Sequence, residues 1–195
     1  NIMKRLASLV FAFVLAVPMS AYAATTETTK VENKGNPIKV SSNQLSEGVT
    51  FSLEKDKPVQ VEFPDGQIET FTFKVEDVKN ENGSRATSKT KRMAVERGYG
   101  TANLELSAYA TYSGRSVSID GDAYLDFWGL NTSVDEKETK VIKRTGSGNN
   151  YAKAGTTGTV STTEPATGVF FTKKFNFEMW LDPANSDTAI INVIS

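Results

Sequence analysis

The sequence predicts an all-β protein, an antiparallel β-sandwich of immunoglobulin-like or jelly-roll-like type, with a β-barrel as the alternative. Apolar and polar residues alternate with a period of two in many short segments, and turn residues separate those segments at regular intervals. No amphipathic helical pattern follows residue 23. A chain of 195 residues is long enough to bury a core without disulfides, so one β-domain is expected.

The first 23 residues are predicted to be a signal peptide and not part of the fold. A basic start precedes an apolar run over residues 6–17, which is shorter than the roughly 20 residues of a membrane-spanning helix. Ala21 and Ala23 are the small residues that precede a cleavage point, so the mature chain is expected to begin at Ala24. We therefore expect a secreted, extracellular protein with no membrane anchor in its mature form.

Residues 24–47 are polar and are predicted to form a flexible lead-in, with a short strand over residues 38–40 as the alternative. The β-domain is predicted to occupy residues 48–195. Its first strands are expected over residues 49–54, 59–63 and 67–77, because apolar side chains alternate there. Turn residues at 55–58 and 64–66 join them, which predicts three strands in meander order.

Residues 79–100 are predicted to be a long loop, or a boundary between two lobes, because basic residues and a turn sequence crowd the segment. The basic cluster also allows proteolytic processing after Arg92, which would release residues 93–195. A solvated loop is the simpler interpretation.

The second half of the chain has the stronger strand pattern. Strands are expected over residues 104–112 and 117–127, with Gly121 as a bulge or a hairpin corner. Residues 146–168 are rich in Gly, Ser, Thr and Asn and are expected to contain one polar edge strand, over residues 158–163. The last two strands are expected over residues 169–181 and 189–193. In the first of these, Lys173 is the one residue that interrupts the apolar alternation.

Composition excludes several function classes. The chain contains no histidine and no cysteine, which removes Ser-His-Asp and Cys-His nucleophiles, thiol chemistry, disulfides and His- or Cys-based zinc sites. The formal net charge of -1 leaves no basic surplus for a phosphate backbone, so nucleic acid is not an expected partner. No glycine-rich phosphate loop is present in the sequence, and no cofactor is predicted.

Asp120, Asp122 and Asp126 form the densest carboxylate group. Such a group could bind Ca²⁺ through oxygen ligands, or supply paired carboxylates for glycoside hydrolysis. Its spacing does not match the EF-hand loop, and in a strand all three residues share the polar face. A solvated turn and strand edge accounts for them, so no metal-binding or catalytic residue is predicted.

Tyr109, Tyr124 and Trp128 are the predicted ligand-binding residues, because each lies on the strand face opposite the apolar alternation. Phe170 and Trp180 share this property. A simple sandwich leaves its outer faces polar, so these rings indicate either a second packing layer or an exposed platform that stacks on a sugar or a partner protein.

The layout resembles that of small uncharacterised exported all-β proteins of Gram-positive bacteria: a short basic signal, a Lys/Thr-rich lead-in and a cysteine-free β-body. That resemblance carries over no binding or catalytic residue. The leading hypothesis is a secreted non-enzymatic β-sandwich module that binds a cell-surface polymer or an extracellular partner protein. The alternatives are an extracellular glycan hydrolase that uses carboxylates, and a secreted effector released from a propeptide near Arg92.

Overall fold

A computed structural model describes residues 36–78, 89–163, 168 and 170–194 of the chain. The elements, in chain order, are β1 (Ile38–Lys39), α1 (Ser42–Glu47), β2 (Val49–Glu54), β3 (Val59–Glu62), β4 (Ile68–Asp77), β5 (Lys89–Tyr99), β6 (Ala102–Ser113), β7 (Ser116–Gly129), β8 (Ser133–Lys143), β9 (Thr145–Ser147), β10 (Ala152–Thr163), β11 (Phe170–Leu181) and β12 (Thr188–Val193).

Two sheets pack face to face. Sheet I has seven strands in the order β1-β3-β4-β5-β6-β7-β9, and sheet II has five in the order β2-β12-β11-β10-β8. All pairs of neighbouring strands are antiparallel except β1 and β3, and the sheets do not close into a barrel within the described residues. The predicted all-β sandwich is therefore confirmed.

The core lies between the sheets and is built from the alternating apolar face of each strand. Its largest fully buried side chains come from both sheets: Phe51, Leu53, Phe71, Phe73, Met93, Leu104, Leu106, Ile119, Phe177, Met179, Leu181 and Ile191. Burying a side chain of this size stabilises the fold by about 1.5–3 kcal/mol. The period-two pattern thus sets which face of each strand turns inward.

Strand β2 does not belong to the predicted meander. It pairs with β12 in sheet II, while β3 and β4 pair in sheet I. The chain crosses between the sheets at residues 55–58, where Asp56 adopts a positive φ of 59° and Pro58 precedes β3. Turn residues are compatible with a crossing between sheets as well as with a hairpin. The predicted meander of β2, β3 and β4 was therefore wrong at β2.

The loop predicted over residues 79–100 is also wrong in part, because residues 89–99 form β5, between β4 and β6. The basic residues that suggested a loop lie on both faces of this strand: Arg92 is on the outer face, and Arg97 shares the inner face with buried Met93 and Val95. Arg92 lies within this paired strand, opposite Glu76 and Tyr109, and not in an open processing loop. Residues 79–88 lie outside the described residues.

Strand β10 corrects the predicted polar edge strand. It begins at Ala152, runs to Thr163 and is hydrogen-bonded to a neighbour on each side, β8 and β11. Its small residues allow close packing: a Cβ at Gly158 would lie 2.6 Å from the Asp135 carbonyl oxygen and 2.7 Å from Cζ of Phe175. The low-complexity composition is therefore a packing requirement of an interior strand.

The lead-in contains structure from β1 onwards: β1 agrees with the alternative prediction of a short strand over residues 38–40, and the predicted flexibility is wrong for residues 42–47, which form α1. Ser41 and Gln44 form a capping box that starts α1, and Leu45 packs on the core. In the described part of the chain no helix is long and apolar enough to cross a membrane. The predicted signal peptide, residues 1–23, and the lead-in up to residue 35 lie outside the described residues.

Candidate functional site

Three exposed rings lie on the outer face of sheet I. Tyr109 on β6, and Tyr124 and Trp128 on β7, are 42%, 51% and 42% exposed. Ala108 and Ala110, which flank Tyr109, are buried on the opposite face. The rings thus lie on the outer face of the sheet, as predicted from their positions in the strands. No second layer formed by the described residues covers them. Their role in ligand binding stays a prediction.

The strand register places these rings in one line, which we call the aromatic row. Tyr124 lies opposite Ser107, and Trp128 lies opposite Asn103. Four residues along a strand span about 13 Å, which separates Tyr124 from Trp128. On β6, Tyr109 is two residues past Ser107, on the side away from Asn103. Tyr109 and Tyr124 are therefore diagonal neighbours on adjacent strands, about 7–8 Å apart. The row is therefore about 20 Å long.

A β-bulge in β7 lies beside Tyr109. The register moves from Ala108 opposite Ala123 to Tyr109 opposite Asp120, and Gly121 adopts the left-handed φ of 71° that the bulge needs. Arg144 Nη1 holds the bulge by donating to the carbonyl oxygens of Ile119 and Gly121, each at 2.9 Å. The prediction of a bulge within one long strand is confirmed, and the outer parity of Tyr124 is preserved.

Carboxylates surround the aromatic row. Thr111 Oγ1 donates to Asp120 Oδ2 at 2.6 Å, whereas Asp122 and Asp126 are exposed and form no ion pair with any described residue. The nearby Arg92 is committed to Glu105. This surface therefore offers hydrogen-bond acceptors and a local excess of negative charge.

The Arg92–Glu105 pair fixes that charge distribution. Burial lowers the pKa of Arg92, but the hydrogen bond and negative charge of Glu105, with the charge of Glu76, outweigh this, so its pKa lies above its ordinary value. Arg92 thus stays charged and bound to its partners. It does not offset the free carboxylates of Asp122 and Asp126.

The predicted carboxylate cluster remains spread along the sheet surface. Asp120, Asp122 and Asp126 are all exposed on the outer face of β7. No group of three or more acidic side chains within the described ranges is arranged to hold a metal ion. Glycoside hydrolysis requires two carboxylates at a defined separation across the scissile bond, and these three lie along one strand.

Phe170 and Trp180, the two other rings predicted on an outer strand face, are on sheet II and differ in their exposure and contacts. Phe170 is 62% exposed at the start of β11. Trp180 is half-buried: its Nε1 donates to Glu178 Oε2 at 2.6 Å, and Lys153 Nζ lies 3.5 Å from its ring centroid. Trp180 is therefore engaged in packing and cation–π contact, while Phe170 is a single exposed ring.

A second unusual group, which sequence reasoning missed, lies inside the sandwich. Glu69, Arg97 and Lys173 occupy the apolar parity of β4, β5 and β11, and we call them the ion cluster. Glu69 and Arg97 are only 1% and 2% exposed. The signal for this group was a charged residue on the apolar face of a strand. It was visible in the sequence for Lys173 and for Glu69, which shares the face of Phe71 and Phe73, but not for Arg97, because β5 was predicted as a loop.

Glu69 joins the two cations. Its Oε2 accepts from Arg97 Nε at 2.7 Å, and its Oε1 accepts from Lys173 Nζ at 2.6 Å. Lys173 Nζ also donates to Asp65 Oδ2 and Gln67 Oε1, both at 3.1 Å. The three ammonium donors of Lys173 therefore all have acceptors, and both carboxylate oxygens of Glu69 are used.

The Arg97 guanidinium is enclosed by aromatic rings. Its Cζ lies 4.8 Å from the ring centroid of Tyr99, 5.2 Å from that of Phe71, 5.4 Å from that of Phe177 and 5.6 Å from that of Phe63. These distances are within the range of cation–π attraction. The rings offset part of the cost of removing a cation from water.

Two donors in this region have no partner among the described residues. They are Arg97 Nη1 and the hydroxyl of Tyr99, and both atoms are buried. Burial lowers the pKa of Arg97, but the negative charge of Glu69 and its hydrogen bond outweigh this effect, so the pKa of Arg97 lies above its ordinary value. Burial also raises the pKa of Tyr99 despite the nearby Arg97, so its hydroxyl keeps its proton. Both groups therefore remain hydrogen-bond donors at neutral pH.

A cavity of about 660 Å³ opens beside the ion cluster. It lies between the sheets, bounded by α1, the β3–β4 turn, β5, β10, β11 and the end of β12. Arg97 and Lys173 line it together with apolar side chains such as Leu45, Phe63 and Phe175. The cavity is thus on the inner side of the sandwich, while the aromatic row is on the outer face of sheet I.

Comparison of the chain with protein-family models, with curated proteins and with solved structures gives no match.

Proposed function

We propose that the protein is a secreted, non-enzymatic binding module that holds a neutral cell-surface polysaccharide on the aromatic row. The observation that carries the proposal is the exposure of Tyr109, Tyr124 and Trp128 on the outer face of sheet I. A strand face that only meets water needs no large rings, and exposed apolar groups that lie together are typical of binding surfaces.

The chemistry of the row suits a sugar. Aromatic faces stack on the apolar faces of sugar rings, and Tyr and Trp add a polar group at the edge of the contact. Asp122 and Asp126 lie next to the rings as exposed carboxylates that can accept hydrogen bonds from sugar hydroxyls. The same carboxylates repel a polyanion, which is why the proposal specifies a neutral polymer.

The dimensions of the row favour a polymer over a single sugar. The rings span about 20 Å on a sheet surface, so they offer several stacking positions in line. Contacts at successive positions on one chain add to the affinity without any single strong contact.

Trp128→Ala tests the proposal. We expect the affinity for a neutral polysaccharide, identified by screening a glycan panel, to fall by about 2 kcal/mol, or about 30-fold. The melting temperature should change little, because the Trp128 side chain is not part of the core. Affinity electrophoresis or calorimetry measures binding, and circular dichroism measures melting.

Phe170→Ala is the matched control, because Phe170 is an exposed ring on the other sheet. It should leave the affinity unchanged. The proposal fails if Trp128→Ala and Phe170→Ala bind the glycan equally well, or if no glycan binds the wild type. Capture of a protein through the row would instead favour an extracellular partner protein, and release of reducing ends that depends on Asp122 would favour the hydrolase alternative.

A further inference from the structure

The cavity beside the ion cluster has the size of a small-molecule site. Its volume of about 660 Å³ lies within the 300–1,000 Å³ that is usual for ligand pockets. Leu45, Phe63 and Phe175 give it an apolar wall, and Arg97 and Lys173 place cationic side chains at one side. A mostly apolar cavity with a few polar groups at one side is the usual composition of a ligand site.

Arg97 is the group that lacks a partner. Its Nε donates to Glu69, but its Nη1 is buried and has no acceptor among the described residues. Buried charged donors are almost always hydrogen-bonded, because an unmade bond leaves the desolvation cost uncompensated. The hydroxyl of nearby Tyr99 is a second buried donor that has no acceptor among the described residues. The missing group must therefore be an acceptor.

Water alone is a poor match for this cavity. One water takes about 30 Å³ of liquid volume and needs two to four polar partners. The cavity opens to solvent and most of its wall is apolar, so the waters inside it find few partners on the protein. An occupant with one polar end and an apolar body fits both parts of the wall.

The charges specify the polar end. Lys173 has all three donors occupied, and Glu69 accepts from both Arg97 and Lys173. The exposed Lys174 also lines the cavity, so three cations line it, and the carboxylates beside them are those of Asp65 and Glu69. The described residues of this region thus carry one uncompensated positive charge, which an anionic ligand would balance.

We propose that this cavity binds a small amphipathic carboxylate. The carboxylate pairs with the guanidinium of Arg97, which lines the cavity, and the apolar chain of the ligand packs on Leu45, Phe63 and Phe175. Arg–carboxylate hydrogen bonds are among the strong ones because both partners are charged. This site lies inside the sandwich and does not depend on polysaccharide binding at the aromatic row.

Octanoate, octanol and octylamine, titrated into the purified wild-type chain by calorimetry, test the chemical class. They share one alkyl length and differ in the head group. Octanoate is expected to bind at least about tenfold more tightly than octanol, which keeps the apolar contacts but loses the charge. Octylamine is expected not to bind. Equal binding of octanol and octanoate, or no octanoate binding, overturns the proposal.

A pair of variants on α1 tests the location. Ser42 lines the cavity and Asn43 does not, although both are exposed on the same helix. Ser42→Trp should fill the opening and weaken octanoate binding at least about tenfold, while Asn43→Trp should bind as wild type. Unchanged binding by Ser42→Trp overturns the proposed site. If Ser42→Trp does not fold, Leu45→Trp replaces it, and the three-ligand comparison on the wild type still decides the chemical class.

Trp128→Ala separates this proposal from the proposed function. Trp128 is on the outer face of β7 and does not line the cavity, so this variant should keep full octanoate affinity even where it loses the polysaccharide. Loss of octanoate binding in Trp128→Ala would place the ligand at the aromatic row and would overturn the cavity site.

Discussion

The aromatic row and the ion cluster depart from strand alternation in opposite directions. In the row, Tyr109, Tyr124 and Trp128 occupy positions that usually carry polar side chains, and they remain in contact with water. In the ion cluster, Glu69 and Arg97 occupy positions that usually carry apolar side chains, and they are almost fully buried. The first departure leaves a ring exposed, whereas the second places charges inside the sandwich.

These departures differ in what they cost the fold. An exposed ring forgoes some burial but leaves no group unsatisfied, so its removal changes stability little. A buried ion is tolerated only while its partners are present, because desolvation of one charge costs several kcal/mol. Variants of the row should therefore act on binding, and variants of the cluster should act on stability first.

The largest effect is expected from Glu69→Leu. This change leaves Arg97 buried without its carboxylate and should lower the free energy of unfolding by about 3–5 kcal/mol. Adding Arg97→Met removes the orphaned charge and should restore most of that loss, since apolar replacement of a buried pair is often neutral. Denaturant unfolding of the two single variants and the double variant gives the coupling energy.

Additive losses in the double variant would contradict this expectation. They would mean that Glu69 and Arg97 stabilise the sandwich by separate packing contacts and not through their mutual charge interaction.

A smaller, pH-dependent effect is expected at Asp65, at the exposed edge of the cluster. Burial tends to raise the pKa of Asp65, but hydrogen bonds from the Gln67 N–H and from Lys173 Nζ outweigh it, so its pKa lies below its ordinary value. The carboxylate therefore stabilises the fold above the unfolded-state pKa of about 3.9, and this contribution is lost as the pH falls through the lower folded-state value.

Asp65→Asn tests this linkage. The variant should be less stable than wild type at neutral pH by at most about 1 kcal/mol, because the Asp65 side chain is half-exposed. The difference should shrink below about pH 4. Urea unfolding from pH 7 to pH 3 measures it, with Asp122→Asn as the control outside the cluster. A difference that grows in acid would contradict the sign of the pKa shift.

The smallest stability effect is expected in the row itself. Tyr124→Ala removes a ring that is 51% exposed and should change the free energy of unfolding by no more than about 0.5 kcal/mol. Thermal and urea unfolding measure this. A loss above about 2 kcal/mol, typical of a truncated core ring, would place Tyr124 with the packing residues and weaken the contrast with the ion cluster.

Local pattern predicted more of the fold than of the candidate sites. The strands over residues 49–54 and 117–127 were predicted close to their observed bounds, because apolar alternation reports directly which residues face a core. Strand β5 was missed because basic residues occupy several positions on the same face as Met93 and Val95, and this interrupts the apolar alternation; Arg97 is accommodated there by Glu69, a partner from a different strand. Helix α1 was missed although its capping residues, Ser41 and Gln44, are visible in the sequence.

The sequence by itself determined the all-β class, the inward face of each recognised strand and the outward parity of Tyr109, Tyr124 and Trp128. These features depend on a period of two that is local to each strand. Only the tertiary structure decided that β2 joins sheet II and that Glu69 meets Arg97 and Lys173, which are 28 and 104 positions away in the chain. Such partners are chosen by the packing of whole sheets, and no local pattern records which distant strand will lie opposite.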